Sequence, residues 1–166
     1  MPTAEENLED AFAGESQANR RYLAYAEKAD QDGFPQAARL FRAAAAAETV
    51  HAHNHLRALK GIAGTAENLK DAITGETHEF KSMYPEMLEA AKREGHADAE
   101  RTFRFALGVE TVHGKLYQEM LENLDSAGKE EYPYFVCPVC GHTVGKEAPD
   151  KCPICGTKGS MFKRID

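Results

Sequence analysis

Cysteine is missing from the first 136 residues of this 166-residue chain, and all four cysteines fall in the last thirty. The N-terminal segment, Met1 to Asp10, is acidic and polar, so it lacks the character of a secretory or transit signal. Two tight Cys-x-x-Cys pairs without such a signal indicate metal ligands in a reducing compartment, not disulfides. We therefore expect a cytoplasmic protein.

Long apolar segments and an excess of basic residues are also missing. The alanine run from residue 43 to 47 is far shorter than the roughly 20 residues that a membrane span requires. Twenty Lys and Arg stand against 27 Asp and Glu, giving a net charge of −7 without the basic footprint of nucleic-acid binding. We expect a soluble protein with small-molecule or electron-transfer chemistry, and neither a membrane nor a nucleic acid as partner.

Four long helices are predicted from their start and stop signals. Thr3 and Glu6 have the spacing of a capping box, Pro35 suits a first helical turn, and glycines follow each helix. The helices span about residues 3–32, 35–60, 66–94 and 97–127, with a kink at Pro85 and an end at Gly128. Helices of roughly 40 Å, at 1.5 Å per residue, predict a bundle. A charged linker at 129–131 then leads into the cysteine segment.

An internal repeat relates the two halves of the bundle. The stretch Ala11-Phe-Ala-Gly-Glu15 recurs as Ala72-Ile-Thr-Gly-Glu76, at an offset of 61 residues. Glu48-Thr-Val-His51 recurs unchanged as Glu110-Thr-Val-His113, at an offset of 62. Two copies of a helical hairpin are predicted, with a pseudo-twofold site where they meet.

Five glutamates lie on the apolar stripes of these helices, where core side chains are expected. Buried carboxylates are costly unless cations neutralise them, so the pattern indicates two divalent metals. The Glu-x-x-His spacing puts an oxygen and a nitrogen on one helix face, as in ferritin-like di-iron proteins. The alternative is a polar bundle core without metal. The candidate ligands are Glu15, Glu48, His51, Glu76, Glu79, Glu110 and His113.

The four cysteines form two knuckles, Cys137-Pro-Val-Cys140-Gly and Cys152-Pro-Ile-Cys155-Gly. Such knuckles present four thiolates tetrahedrally to iron or zinc, and so short a domain folds around its metal. Alone, the pattern slightly favours a structural zinc ribbon. Beside a redox-active bundle, iron acting as a single-electron donor is favoured.

Together these motifs resemble the rubrerythrin family over essentially the whole chain. The resemblance implies an all-α ferritin-like four-helix bundle at residues 1–128 and a small rubredoxin-like, metal-bound β/loop domain at 129–166. It implies two irons bridged by Glu48 and Glu110, and one further iron at the four cysteines. Glu15 would bind the first bridged iron, and Glu76 with His113 the second.

The resemblance also implies residue roles in a peroxidase. Glu79 and His51 would alternate as ligands of the first iron, since the first copy of the repeat carries Ala18 where the second carries Glu79. Tyr22 and Tyr84 match family tyrosines that hydrogen-bond ligand carboxylates, with plain core packing as the alternative. His142 stands where rubredoxins usually carry an aromatic residue, so redox potential or solvent access is expected to differ.

The implied reaction is the reduction of hydrogen peroxide to water, in defence against oxidative stress. Electrons would enter from a rubredoxin or an NAD(P)H-dependent reductase and pass through the four-cysteine iron. A ferroxidase or iron-handling protein, and an electron carrier without its own substrate, are the alternatives.

The short break between the second and third helices predicts how the chain assembles. Its five residues, 61–65, reach about 18 Å, whereas completing a ferritin-like bundle within one chain requires a return of about 33 Å. A helix-swapped homodimer, with each di-iron site built from two chains, is therefore predicted. The alternative is an all-antiparallel bundle, which would also tolerate a short turn.

Overall fold

The computed structural model describes residues 1–127 and 131–166 and divides the chain into two compact units, Met1–Ala63 and Gly64–Asp166. The predicted helix end at Gly128 and the predicted domain boundary between residues 128 and 129 lie outside the described residues. No helix in the described ranges is both long and apolar enough to cross a bilayer.

The first unit is a helical hairpin of α1 (Ala4–Gln31) and α2 (Pro35–Ala58). The predicted capping box is confirmed: Glu6 N donates to Thr3 Oγ1 at 3.1 Å, and Thr3 N donates to Glu6 Oε2 at 2.6 Å. Gly33 has a φ of +80°, which lets the chain turn before Pro35 begins α2. The buried side chains between the helices are mainly alanines: Ala26, Ala29, Ala38, Ala45 and Ala52.

One buried polar side chain fixes the register of this hairpin beside its glutamates. Asn19, one turn after Glu15 on α1, donates through Nδ2 to the carbonyl oxygen of Ala45 at 2.7 Å and to Thr49 Oγ1 at 2.8 Å. Thr49 follows Glu48 directly. Because an unpaired buried amide is costly, these bonds hold the Glu15 turn opposite the Glu48 turn.

The second unit begins with α3 (Thr65–His78), a π-helical turn (Glu79–Met83) and α4 (Tyr84–Glu94). The predicted irregularity of the third helix is present, but it takes the form of a π turn that ends before Pro85. Tyr84 N donates to the carbonyl oxygen of Glu79, five residues back. Proline has no N–H and crowds the preceding helical turn, so widening this turn relieves the conflict.

The predicted fourth helix is divided into α5 (Ala97–Glu122) and a short α6 (Leu124–Ala127). Helix α5 packs against α3, the π turn and α4. Gly114 is buried in this contact, where an added Cβ would lie only 3.2 Å from Phe80 Cε1. The glycine therefore lets α5 approach α3 at the level of Glu76 and His113.

The cysteine segment folds into a three-stranded antiparallel sheet in the order β2-β1-β3, with β1 (Tyr134–Val136), β2 (Thr143–Gly145) and β3 (Lys163–Ile165). This small sheet contacts α5 within the second unit. A Cβ placed at Gly108 would lie 3.4 Å from Ile154, and one at Gly141 would lie 3.8 Å from Val109. The predicted fold class, helices plus a small strand-and-loop domain, is confirmed.

Candidate metal centres

The four cysteines come together as predicted, and all four thiols are free. Cys137 Sγ lies 3.5 Å from Cys155 Sγ, and Cys140 Sγ lies 3.5 Å from Cys152 Sγ. A metal with bonds of about 2.3 Å to four sulfurs has sulfurs about 3.8 Å apart at the corners of its tetrahedron. The sulfur separations therefore fit one tetrahedral metal ion.

The loops around the sulfurs are set by backbone hydrogen bonds. Cys137 N donates to the carbonyl oxygen of His142 at 2.9 Å, and Gly141 N donates to the carbonyl oxygen of Cys137 at 2.9 Å. Gly141 and Gly156 close the two knuckles with φ values of +85° and +80°. His142 is buried against Phe162, and burial, with the nearby charge of His113, lowers the pKa of His142.

The thiols differ in acidity. Burial raises the pKa of Cys140. Burial also opposes ionisation of Cys155, but hydrogen bonds from the hydroxyl and backbone of Thr157 lower the pKa of that thiol to about 6. One member of the cluster thus enters the thiolate form, the form that binds metals, near neutral pH.

The first unit brings together Glu15, Glu48 and His51. Nδ1 of His51 lies 2.9 Å from Glu48 Oε2 and 3.8 Å from Glu15 Oε1. A hydrogen bond with Glu48, partial burial and the Glu48 charge raise the pKa of Glu15. The His51 side chain is 53% exposed.

The second unit brings together the matching residues Glu76, Glu110 and His113. Nδ1 of His113 lies 2.7 Å from Glu110 Oε2 and 3.8 Å from Glu76 Oε1. Burial, followed by the charge of Glu110, raises the pKa of Glu76 to about 7. The His113 side chain is only 26% exposed, half the value of His51.

Nε2 of His113 has a partner outside the helices. It lies 2.9 Å from Oγ1 of Thr143, the first residue of β2. The Thr143 hydroxyl donates in turn to the carbonyl oxygen of Gly141, at 3.0 Å. Thr143 has no recognisable signal in the sequence, because only the fold brings it to His113 across 30 residues of chain.

Of the other predicted site residues, Glu79 and Tyr84 lie near the carboxylates of the second unit, whereas Tyr22 packs among aromatic rings. Glu79, on the π turn, is close enough to raise the pKa of Glu76, after the larger effects of burial and Glu110. Burial, then the charges of Glu79 and Glu110, raises the pKa of Tyr84. Tyr22 instead packs its ring against Tyr25 and Phe41, with ring centroids 6.3 Å apart in both pairs. Its predicted hydrogen bond to a ligand carboxylate stays a prediction.

The donor sets of both units suit divalent metals. Each combines two carboxylates with one imidazole, and the donor atoms of each set lie within 4.8 Å of one another. The pKa of Glu76 is raised by burial and then by the charge of Glu110, and that of Glu15 by its hydrogen bond with Glu48, by burial and by the Glu48 charge. A bound cation would compensate these carboxylate charges.

Both the helical part and the cysteine part of the chain match profiles of one protein family. The rubrerythrin family profile matches residues 6–121, and the profile for the rubredoxin-like domain of rubrerythrin matches residues 135–163. The chain belongs to the rubrerythrin family. Rubrerythrin-2 of Clostridium acetobutylicum is 41% identical over 94% of this chain and 93% of its own length. Nigerythrin of Nitratidesulfovibrio vulgaris is 33% identical over 90% of this chain and 80% of its own length.

Solved structures of nigerythrin share the fold. The partially reduced state superposes with a TM-score of 0.61 at 30% identity, covering 99% of this chain and 88% of that one. The fully reduced, all-ferrous state gives a TM-score of 0.59 at 31% identity, with the same coverage. The rubrerythrin family consists of di-iron oxidoreductases linked to oxidative-stress defence.

The metal-free protein should become less stable as the pH rises from about 5 to about 8. An unperturbed glutamate titrates at 4.5, whereas Glu76 titrates at about 7 in the folded chain. Between these two pH values the folded state binds more protons than the unfolded state. The stabilisation from Glu76 is therefore complete below pH 4.5 and is lost as the pH rises through about 7. Thermal unfolding of chelator-treated protein across this range measures the effect.

The Glu76→Gln variant should show a shallower pH dependence, because the glutamine does not titrate. Glu86→Gln, an exposed position on α4, is the matched control and should keep the wild-type slope. Equal slopes in all three proteins would contradict the assigned pKa of Glu76.

Proposed function

We propose that this protein is a non-haem di-iron peroxidase that reduces hydrogen peroxide to water. The observation that carries the proposal is the position of the four-cysteine domain, whose Thr143 hydrogen-bonds the candidate ligand His113. A cysteine-bound iron at this place is suited to deliver electrons to the helical metal site. Storage of oxidised iron does not require such a centre.

The metals proposed are two irons at the glutamate and histidine residues and one at the cysteines. The nigerythrin relative is named in an all-ferrous state, which supports iron at equivalent donors here. Glu48 and Glu110 are proposed as bridges, Glu15 as a ligand of the first iron, and Glu76 with His113 as ligands of the second. Iron, when bound, supplies the two electrons that break the O–O bond of the peroxide.

The surrounding side chains are proposed to hold and supply protons. Reduction of hydrogen peroxide to two waters consumes two protons as well as two electrons. Tyr84 keeps its hydroxyl proton at neutral pH, since burial and the charges of Glu79 and Glu110 raise its pKa. Glu79 lies on the widened turn, beside Glu76 and Tyr84. We propose these two residues, with His51 and Tyr22, as the residues that act on the peroxide.

Electrons are proposed to arrive singly at the cysteine site from a rubredoxin or an NAD(P)H-dependent reductase. Steady-state assays with hydrogen peroxide and with oxygen as oxidants test the assignment against a ferroxidase. A peroxidase consumes peroxide continuously while the donor is oxidised. A ferroxidase instead consumes ferrous iron and accumulates the ferric form, and that result would replace the proposal.

Cys152→Ser should remove the iron-thiolate absorption and stop turnover driven by an NAD(P)H-dependent donor. One of four thiolates is lost, and this residue is one of the two buried members of the cluster. The chemically reduced variant should still consume one equivalent of peroxide per di-iron site in a single turnover. Unchanged steady-state turnover in Cys152→Ser would contradict the electron-relay role.

Glu79→Ala should bind two irons but reduce peroxide about tenfold or more slowly, because it loses a proposed alternating ligand and proton donor. Iron content and single-turnover rates measure binding and chemistry separately. Glu86→Ala, exposed one turn beyond the π turn, is the control and should match the wild type. A wild-type rate in Glu79→Ala would exclude this role.

Assembly as a helix-swapped homodimer is also proposed, and the connection between α2 and α3 supports it. Six residues, 59–64, join Ala58 to Thr65 and reach at most about 22 Å. Along the helices, Glu48 lies ten residues before Ala58, and Glu76 lies eleven after Thr65. A ferritin-like bundle completed by one chain therefore requires a return of about 32 Å. Two chains that exchange hairpins avoid this conflict.

Two inactive variants, combined in one dimer, test the exchange. Glu48→Ala damages the first unit and Glu110→Ala damages the second. In a swapped heterodimer one di-iron site carries both substitutions and the other carries neither. Heterodimers obtained by co-expression with two affinity tags should therefore contain one fully loaded, active site. Each homodimer should be impaired at both sites. A heterodimer without restored iron binding or activity would show that each chain builds its own site.

A further inference from the structure

We infer that Thr143 is a positioning residue that holds His113 ready to bind the second metal through Nδ1. The inference rests on the metal-binding part of the proposed function, and not on the reaction with peroxide. It assigns to the cysteine domain a structural role at the helical metal site, in addition to electron transfer.

The direction of the two hydrogen bonds determines which His113 nitrogen carries a proton. The Thr143 hydroxyl has a single proton, which it donates to the carbonyl oxygen of Gly141 at 3.0 Å. Its oxygen therefore accepts from His113 Nε2 at 2.9 Å, so Nε2 carries hydrogen. In the neutral ring this leaves Nδ1 as the nitrogen with a free lone pair.

Nδ1 of His113 faces the other candidate ligands. Nδ1 of His113 lies 2.7 Å from Glu110 Oε2 and 3.8 Å from Glu76 Oε1. Nδ1 and Glu110 share a hydrogen bond at 2.7 Å, and a cation among these oxygens would replace its proton and meet the lone pair of Nδ1. Hydrogen bonds that fix the tautomer and ring orientation of a ligating histidine typically change metal affinity 10- to 100-fold.

His51 provides a comparison within the same chain. It occupies the same position of the repeated Glu-Thr-Val-His motif, and its Nδ1 contacts Glu48 as Nδ1 of His113 contacts Glu110. Within the Met1–Ala63 unit, however, no hydrogen bond reaches Nε2 of His51, and its side chain is twice as exposed. His113 is thus restrained at both ring nitrogens, whereas His51 is restrained at Nδ1 alone within its unit.

The acceptor role of Thr143 depends on the folded cysteine knuckle. Gly141 lies next to Cys140, and its own N–H is bonded to the carbonyl oxygen of Cys137. Since a domain of this kind folds around its metal, loading of the cysteines fixes Thr143 and thereby favours metal binding at His113. By linkage, the two sites favour each other's occupancy to the same extent.

Zinc-loaded protein, which is diamagnetic, allows a test that does not use activity. Nitrogen-15 NMR of the histidine rings reports which nitrogen of His113 carries hydrogen, and competition with a chelator reports zinc affinity at the glutamate-histidine ligands. Wild type should show hydrogen on Nε2 and metal on Nδ1. Thr143→Val should give a mixed tautomer in the chelated state and bind zinc at least about tenfold more weakly there.

Matched variants distinguish the loss of the Thr143 hydroxyl from general damage to the fold. Thr143→Ser keeps the hydroxyl and should resemble wild type. Thr111→Val removes a hydroxyl that donates within α5, to the carbonyl oxygen of Leu107, and should also resemble wild type. The cobalt-thiolate absorption reports whether the cysteine domain is intact, and Thr143→Ala replaces Thr143→Val if valine disturbs the strand.

The inference is overturned if an intact Thr143→Val or Thr143→Ala variant keeps hydrogen on Nε2 and zinc affinity within twofold of wild type. It is also overturned if Thr143→Ser behaves like the valine variant. Neither result depends on peroxide turnover. An inactive iron-loaded wild type with the expected zinc and NMR behaviour would instead refute the proposed peroxidase alone.

Discussion

The close approach of half-buried carboxylates is the constraint that organises this protein. Each unit holds two glutamates against one histidine, and in each unit a glutamate pKa is raised. Two helical pairings keep these like charges together: the Asn19 bonds across α1 and α2, and the contact of Gly114 with Phe80. Holding these carboxylates together has an electrostatic cost, which a bound cation would relieve.

Much of the fold and of the ligand set was predictable because it depends on local spacing. Residues three apart share a helix face, so the repeated Glu-x-x-His motif identifies ligand pairs without knowledge of the tertiary structure. The paired Cys-x-x-Cys knuckles identify the second site in the same way. The His113–Thr143 bond and the contact of Gly108 with Ile154 were not predictable, since neither residue's neighbours in sequence indicate its distant partner. The form of the irregularity before Pro85 was also missed, because proline signals a disturbance but not a π turn.

The two halves of the repeat have become chemically different while keeping the same ligands. Ala18 in the first corresponds to Glu79 in the second, and Asn19 corresponds to Phe80. His51 is exposed and His113 is enclosed. Two identical halves would offer two metals the same surroundings, whereas these differences would give each bound metal its own. Asymmetry of this kind suits a reaction in which one metal changes its ligands and the other does not.

The π turn makes the length of this segment as important as its composition. A π turn contains one residue more than the corresponding α-helical turn, and each residue of an α-helix rotates the chain by about 100°. Deleting one residue between Glu79 and Met83 would give the regular α-helical turn and leave the later side chains of α4 on their present face. Closing the π turn at its present length would instead rotate each of those side chains by about 100°. Tyr84 would leave the carboxylates, and Ala91 would leave the buried face. A relative one residue shorter here can therefore keep the same face of α4 with a regular helix, whereas one of the same length needs the π turn to keep it.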